Sequence, residues 1–209
     1  MIQGSDEWLR ARAGSLGASQ VHGAIKTIKS GGYAATRKDT LFQLVAERLT
    51  GEPTETFTST AMQWGKDTES QARAAYTFLR NIAVQEEGLV RHPHIKGTHA
   101  SPDGLVMDTG LLEIKCPNTA QHVDFLRTRS IKDEYLTQMQ WQMACTNREW
   151  CDFASFDPRL PPELQISVKR VPRDDKFIAE TEAAVEEFLE EVAATEAELR
   201  GMMDAEAAA

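Results

Sequence analysis

Apolar residues recur along this chain with two different periods, and the change of period divides it. Over residues 59–80, Ala61, Trp64, Ala72, Ala75, Tyr76 and Leu79 repeat at helical spacing, which predicts a long amphipathic helix. Three shorter helices are predicted before it. Ser5 can cap one that runs through Trp8 and Arg12 and ends near Gly14. Ser19 can open a second around Val21, and residues 39–49 form a third. The middle of the chain switches to short runs bounded by turn residues, at 84–91, 98–101, 105–107 and 111–116, which read as strands. Helical spacing returns over 120–127 and 132–145. Two more strands follow near 150–156 and 165–171, and a closing helix spans 174–199 with Ile178, Val185, Leu189 and Val192 along one side. Helices, meander, helices, strands and helix in that order predict an α/β (α+β) domain in which a central mixed sheet is flanked by helices.

Composition narrows the picture. The 209 residues, 41% of them hydrophobic, suffice for one buried core, expected over residues 1–200. Residues 201–209 lack apolar periodicity and are expected to form a flexible tail. No run reaches the roughly 20 apolar residues of a membrane span, and no basic-then-apolar leader opens the chain. A cytoplasmic protein without a membrane partner is expected. The three cysteines, Cys116, Cys145 and Cys151, form no CxxC pair. That argues against a disulfide framework, a zinc site or the four thiolates of an iron–sulfur cluster.

The formal charge of −9 speaks at first against nucleic acid, since phosphates are neutralised by Lys and Arg. Its distribution says otherwise. Residues 174–209 hold 12 of the 32 acids and 2 of the 23 bases, so that segment carries −10 and the other 173 residues carry +1. A near-neutral domain with an acidic closing helix can still present a basic channel on one side, with that helix facing away from DNA.

The candidate chemistry lies in residues 101–117. Asp108-Thr109-Gly110 suits a three-residue hairpin loop with Gly110 in the left-handed position. Leu105 would then face Glu113, and Asp103 would face Lys115. Period-two alternation puts Leu112, Ile114 and Cys116 on one face and Asp103, Glu113 and Lys115 together on the other. Asp103 and Glu113 become diagonal neighbours, roughly 7–8 Å apart, able to reach one divalent ion. Oxygen ligands favour Mg²⁺, or Mn²⁺, over zinc. With Lys115 beside the attacking water, the trio suits phosphodiester hydrolysis. On spacing alone, the same residues also fit a solvated sheet face with a weak ion pair.

Pro102-Asp103 followed by Glu113-Ile114-Lys115 is similar to the PD-(D/E)xK nuclease motif. More specifically, residues 101–105 (Ser-Pro-Asp-Gly-Leu) and 112–117 (Leu-Glu-Ile-Lys-Cys-Pro) resemble the core of the lambda-phage-type alkaline exonucleases, the YqaJ-like viral recombinase nucleases. Three further blocks resemble that family in the same order: Trp8 through Ala18-Ser19-Gln20-Val21, then Trp64 through Glu69, then Tyr135 through Gln140 running on to residues 156–159. The likeness spans residues 8 to 190.

The resemblance implies a restriction-endonuclease-like core. It also implies a Mg²⁺-dependent, processive 5′→3′ exonuclease that acts on double-stranded DNA ends, releases 5′-mononucleotides and leaves 3′ single strands for recombination. The protein would be phage- or prophage-encoded, would form a ring-shaped homotrimer and would work with a single-strand annealing protein. By the same resemblance Asp103, Glu113 and the Ile114 carbonyl are metal ligands and Lys115 is the catalytic lysine. Glu69 and Gln138 belong to the active site, and Arg12, Ser19, Ser101 and Tyr135 engage the DNA and its terminal 5′-phosphate. Where family members can carry a hydroxyl residue two positions before Ser19, this chain has Gly17, so a phosphate contact there would need a backbone N–H.

Several residues keep two readings. Glu69 also suits a surface pair with Arg73, and Arg12 a solvated helical arginine. Gln142 continues the polar stripe of Tyr135 and Gln138 but fits an ordinary amphipathic helix. His92-Pro93-His94 reads as a loop rather than a metal pair. His22 and His122 could reach the site or the DNA, and nothing in the sequence decides between these. Lys26, Lys29, Arg37 and Lys38, with Tyr33, form either a phosphate-tracking segment or an exposed loop.

Overall fold

The computed structural model describes residues 1, 3–27, 31–54 and 59–207. Lys29 of the basic segment and residues 208–209 of the expected tail lie outside that set. The chain opens with α1 (Asp6–Arg12), capped by the Ser5 hydroxyl, which accepts from the Trp8 amide. A two-residue strand, β1 (Leu16–Gly17), leads directly into α2 (Ala18–Ile25). Gly17 holds the N-cap position of α2, so Ser19 sits inside the first turn instead of opening the helix.

The next helix, α3 (Ala35–Thr50), starts four residues before the expected boundary. The reason is tertiary. Arg37 is buried in its first turn, donates to the Ala24 carbonyl at 2.7 Å and pairs with Glu191 at 2.8 Å. Its guanidinium also stacks over Tyr33 and Phe188. Arg37 is therefore a core residue, whereas Lys26 and Lys38 are exposed. The long helix forms as α4 (Thr60–Arg80), capped by Ser59 and ended by Asn81 in the left-handed conformation (φ 53°).

Beyond α4 the expected 84–91 strand divides into β2 (Val84–Gln85) and β3 (Val90–Arg91). Then follow β4 (Thr98–Ala100), β5 (Gly104–Val106), β6 (Gly110–Lys115), α5 (Thr119–Thr128) and α6 (Asp133–Thr146). The chain closes with β7 (Trp150–Phe156), a short 3₁₀ turn, β8 (Ile166–Pro172) and α7 (Asp175–Ala207). Gly201 does not stop α7, so residues 201–207 continue the helix where the apolar pattern suggested a tail.

The central sheet runs in the order β2-β5-β6-β7-β8, with β6 and β7 parallel and the remaining neighbours antiparallel. On one face α4 buries Ala72 and Tyr76 against Val106, Leu112, Ile114 and Ala154. On the other, α5 and α6 pack Phe125, Met139 and Met143 against Leu111, Cys151 and Phe153. Because β6 is covered on both sides, it is apolar at every position but Glu113 and Lys115.

A second sheet, unforeseen in the sequence, runs β1-β4-β3, with β1 parallel to β4. Leu16, Val21, Leu44, Trp141, Val185 and Phe188 form the core beside it. His92 and His94 lie in the loop between β3 and β4. His92 is buried, stacked on Trp141 (centroids 4.9 Å apart), and accepts from the His94 and Ile95 amides through Nδ1.

The β5–β6 hairpin differs from its expected register by two residues. Leu105 pairs with Leu111 and Gly104 with Leu112, so the loop is Met107-Asp108-Thr109. Met107 takes the left-handed conformation (φ 51°). Gly110 is needed for a different reason: a Cβ there would lie 2.1 Å from the Trp150 ring. Arg148 clamps the loop by donating to the Met107 and Gly110 carbonyls at 2.8 and 2.7 Å. Contacts from beyond α6, invisible to local turn preference, thus choose the register. A two-residue slip preserves which face each side chain occupies, so Asp103, Glu113 and Lys115 still share one. Continued past Gly104–Leu112, the register sets Asp103 directly opposite Glu113 instead of diagonal to it.

Candidate active site

Just before β5 begins, Asp103 turns inward and accepts from the Ile114 amide through Oδ2 at 2.6 Å. A strand residue directs its N–H and C=O toward the same edge, so the Ile114 carbonyl also faces the gap that Asp103 occupies. Glu113 is fully buried. Its Oε1 accepts from Lys115 Nζ, and its Oε2 accepts from Gln142 Nε2 at 2.7 Å. From α4, Arg73 donates to the Asp103 carbonyl at 3.2 Å and to Glu69 at 2.6 Å, and it pairs with Glu86 at 2.8 Å. Glu69 thus makes the i,i+4 pair with Arg73, and Arg73 in turn links it to the Asp103 backbone.

The electrostatics show an excess of negative charge. Burial, then repulsion from Glu113, holds the Asp103 carboxyl well above the usual carboxylate range. Glu69 is raised by burial and by Glu113, with Arg73 opposing. Burial alone would lower Lys115, but Glu113 and Asp103 outweigh it and raise the ammonium above its ordinary value. The adjacent Cys116 thiol is pushed up to about 12 by burial, Glu69 and Asp103, which keeps it a thiol. Buried carboxylates that repel one another are a setting a cation would relieve. Among the described residues no cluster of three or more His, Cys, Asp or Glu side chains is arranged to hold a metal. The available donor set is two carboxylates and one carbonyl, all oxygen, which fits an ion that keeps several waters.

The polar stripe of α6 divides among three places. Gln142 is fully buried against Glu113, and its Oε1 has no hydrogen-bond partner among the described residues. The amphipathic reading of Gln142 is thus overturned. No local signal distinguishes a glutamine facing a carboxylate from one on a helix surface. Tyr135 stands beside Lys115, whose Nζ is 5.0 Å from the ring, and stacks with Phe153. Both Tyr135 and Lys115 line a cavity of about 340 Å³ between α5 and α6.

Gln138 instead lines a separate recess of about 110 Å³ with Trp8, Arg12, Ser19, His99 and Ser101. At that size the recess takes a chemical group and not a whole small molecule. The structure therefore gathers Arg12, Ser19 and Ser101 as expected but separates Tyr135 from them and adds Gln138. Arg12 lies with its guanidinium 3.9 Å over the Trp8 ring. The Gly17 N–H, the expected stand-in for a missing hydroxyl, is already given to Gln20 Oε1 at 3.1 Å.

The remaining histidines do not enter either place. His122 is buried between Ser155 Oγ (2.7 Å) and the Leu164 carbonyl (2.8 Å), and His22 Nδ1 lies 3.2 Å from Thr137 Oγ1. Among the described residues no helix is long and apolar enough to cross a membrane.

Residues 7–149 match the family described as the YqaJ-like viral recombinase domain. Among solved structures, the chain is similar to an alkaline exonuclease, LHK-Exo, from Laribacter hongkongensis. The two share 44% identity, with 96% of this chain and 98% of the other covered and a TM-score of 0.89. The complex of LHK-Exo with dAMP matches equally well. A phage-related exonuclease from Haemophilus somnus 129PT shares the fold at 17% identity, covering 88% of this chain and 96% of that one, with a TM-score of 0.72. Curated proteins gave no match.

Proposed function

The chain belongs to the YqaJ-like viral recombinase family, and from that premise we propose that it is a Mg²⁺-dependent exodeoxyribonuclease that degrades double-stranded DNA processively from the 5′ end. The observation that carries this reading is the convergence of Asp103, Glu113 and Lys115 at the open end of the β5–β6 hairpin. Asp103, Glu113 and the Ile114 carbonyl would hold the divalent ion, with Mn²⁺ a possible substitute. When bound, such an ion polarises the scissile phosphate and supplies a nucleophilic water. Lys115 is positioned to orient that water and to offset charge on the phosphate in the transition state. Gln142 holds Glu113 and Arg73 holds the Asp103 backbone, and Glu69 would stand near the waters of a bound ion.

The Arg12 recess would grip the terminal 5′-phosphate through the Arg12 fork, the Ser19 and Ser101 hydroxyls and Gln138. Ser101 and Asp103 are two residues apart, so their Cα atoms lie at most about 7 Å from one another. That is of the order of one nucleotide's span. Cleavage one nucleotide inside a gripped 5′-phosphate yields 5′-mononucleotides and leaves a 3′ strand. Tyr135, beside Lys115 in a separate cavity, would contact the DNA away from its end.

For the whole assembly we propose a single domain over residues 1–200, a homo-oligomeric ring, a trimer in the reading above, and a single-strand annealing protein as partner in phage-type recombination in the bacterial cytoplasm. The acids of α7 support an orientation away from DNA: Glu182, Glu187, Glu191 and Glu196 are directed to His92, Tyr33, Arg37 and Arg48.

Duplexes labelled at either end test this reading. With Mg²⁺, early mononucleotide release is expected from the 5′-labelled end. Asp103→Ala and Lys115→Ala should each lower the rate by on the order of 10²–10⁴. Early release from the 3′ end would refute the polarity, and undiminished digestion by either variant would refute the site.

A further inference from the structure

Behind the Arg12 recess lies a buried imidazole that the proposed reaction does not use. His99, on β4, is 1% exposed. Its Nε2 accepts from Arg12 Nε at 3.0 Å, and its Nδ1 lies 2.9 Å from Ser15 Oγ. A guanidinium N–H can only donate. Nε2 must therefore carry the lone pair and Nδ1 the proton, which Ser15 Oγ accepts. Burial, with Arg12 and Arg91 nearby, holds the ring down to about 3, so it is a neutral acceptor at any working pH.

The rest of the setting fixes Arg12 from its other sides. Its guanidinium lies over Trp8, and Trp8 Nε1 is tied to the Gly88 carbonyl at 2.6 Å and to Ser101 Oγ at 3.3 Å. The Arg12 Nε–H is committed to His99, which leaves the two Nη groups of the fork for other partners, and Arg12 lines the recess. Gly17 makes room for this meeting. A Cβ there would lie 3.1 Å from Arg12 Nη2 and 3.3 Å from His99 Nε2, tighter than ordinary contact. A hydroxyl residue at position 17 would press on the junction of the two side chains.

The geometry points to His99 as a positioning residue: the neutral Nδ1–H imidazole, held by Ser15, sets the Arg12 fork toward a terminal phosphate and so governs selectivity for phosphorylated DNA ends. This rests on the reading of the recess as the 5′-phosphate site. A long, flexible arginine without such a partner would sample many rotamers and lose part of its discrimination.

The test compares 5′-phosphorylated and 5′-hydroxyl duplexes of one sequence, using the ratio of their kcat/KM values. His99→Phe, which keeps the ring's bulk but removes the acceptor, should lower the ratio between about tenfold and a hundredfold, chiefly through KM for the phosphorylated end. His99→Gln, which restores an acceptor, should recover most of it. A folded His99→Phe enzyme with the wild-type ratio would overturn the proposal. Arg12→Ala separates the two levels: if it leaves the ratio unchanged, the recess is not the phosphate site, whatever His99 does. Should His99→Phe fail to fold, ¹⁵N shifts of the wild-type ring decide. A protonated Nδ1 and bare Nε2 are expected at neutral pH, and the opposite tautomer, or a ring that titrates near the ordinary 6.5, would overturn the assignment.

Discussion

The carboxylate site and the Arg12 recess stand on neighbouring elements yet are built by opposite means. The first is local: Asp103, Glu113 and Lys115 fall within 13 residues on one hairpin. Their closeness follows from strand geometry, and the strain there is electrostatic, with Asp103 and the nearby Glu69 raised by burial and by Glu113. The recess is assembled from α1, the start of α2, residues in and just after β4, and α6, drawing together positions as far apart in the chain as Gln3 and Gln138. Its charged member, Arg12, is relieved by a neutral histidine and an aromatic face. One place concentrates like charges that a cation would neutralise, and the other presents the Arg12 guanidinium, which suits an anion. A nuclease acting one nucleotide from a phosphorylated end needs both, close together and of opposite sign.

The strongest way to strain that comparison is to remove a support from the carboxylate site alone. Gln142→Leu deletes the hydrogen bond to Glu113 without touching the recess. It should cost about 10–100-fold in affinity for the divalent ion or in rate, read by titrating Mg²⁺ in a digestion assay, while the preference for 5′-phosphate stays at its wild-type value. A fall in that preference instead would mean the two places act as one.

Tyr135 offers a gentler probe, because the structure moves it from the recess to the Lys115 cavity. Tyr135→Ala is expected to lower the rate several-fold, in line with the loss of one stacking contact, and to leave end selectivity intact. Selectivity tracking Tyr135 would restore it to the phosphate site.

The smallest effect concerns stability. His99 binds its proton far less readily folded than unfolded, about 3 against an ordinary 6.5. The unfolded state therefore takes up protons first as pH falls. The contribution is fully present above about 6.5 and is lost as pH falls toward 3. Asp103 and Glu69 work the other way, since their raised values let the native state hold protons more tightly at low pH. Melting curves of His99→Gln against wild type across pH 7 to 4 should converge on acidification. A constant gap would show that His99 does not carry the charge-free state assigned to it.

The sequence by itself determined most of the local architecture. Ser5 caps the helix it was expected to cap, the long helix runs within a residue of its expected bounds of 59–80, residues 150–156 form the strand foreseen, and alternation placed Asp103, Glu113 and Lys115 on one face. Periodicity survives a change of register by two, so the shared face of these three residues could be read even though the hairpin loop was misplaced. Only the tertiary structure decided what depends on distant neighbours. Arg148 and Trp150 set the hairpin register, Glu191 made Arg37 a core residue, and Glu113 gave Gln142 its role. It also divided the α6 stripe, sending Tyr135 and Gln138 to different cavities, and closed β4 on β1 so that His99 meets Arg12. The physical reason is the same throughout. Strand and helix periods fix the direction in which a side chain leaves its own element, while its partner is fixed by which other element the fold packs against it.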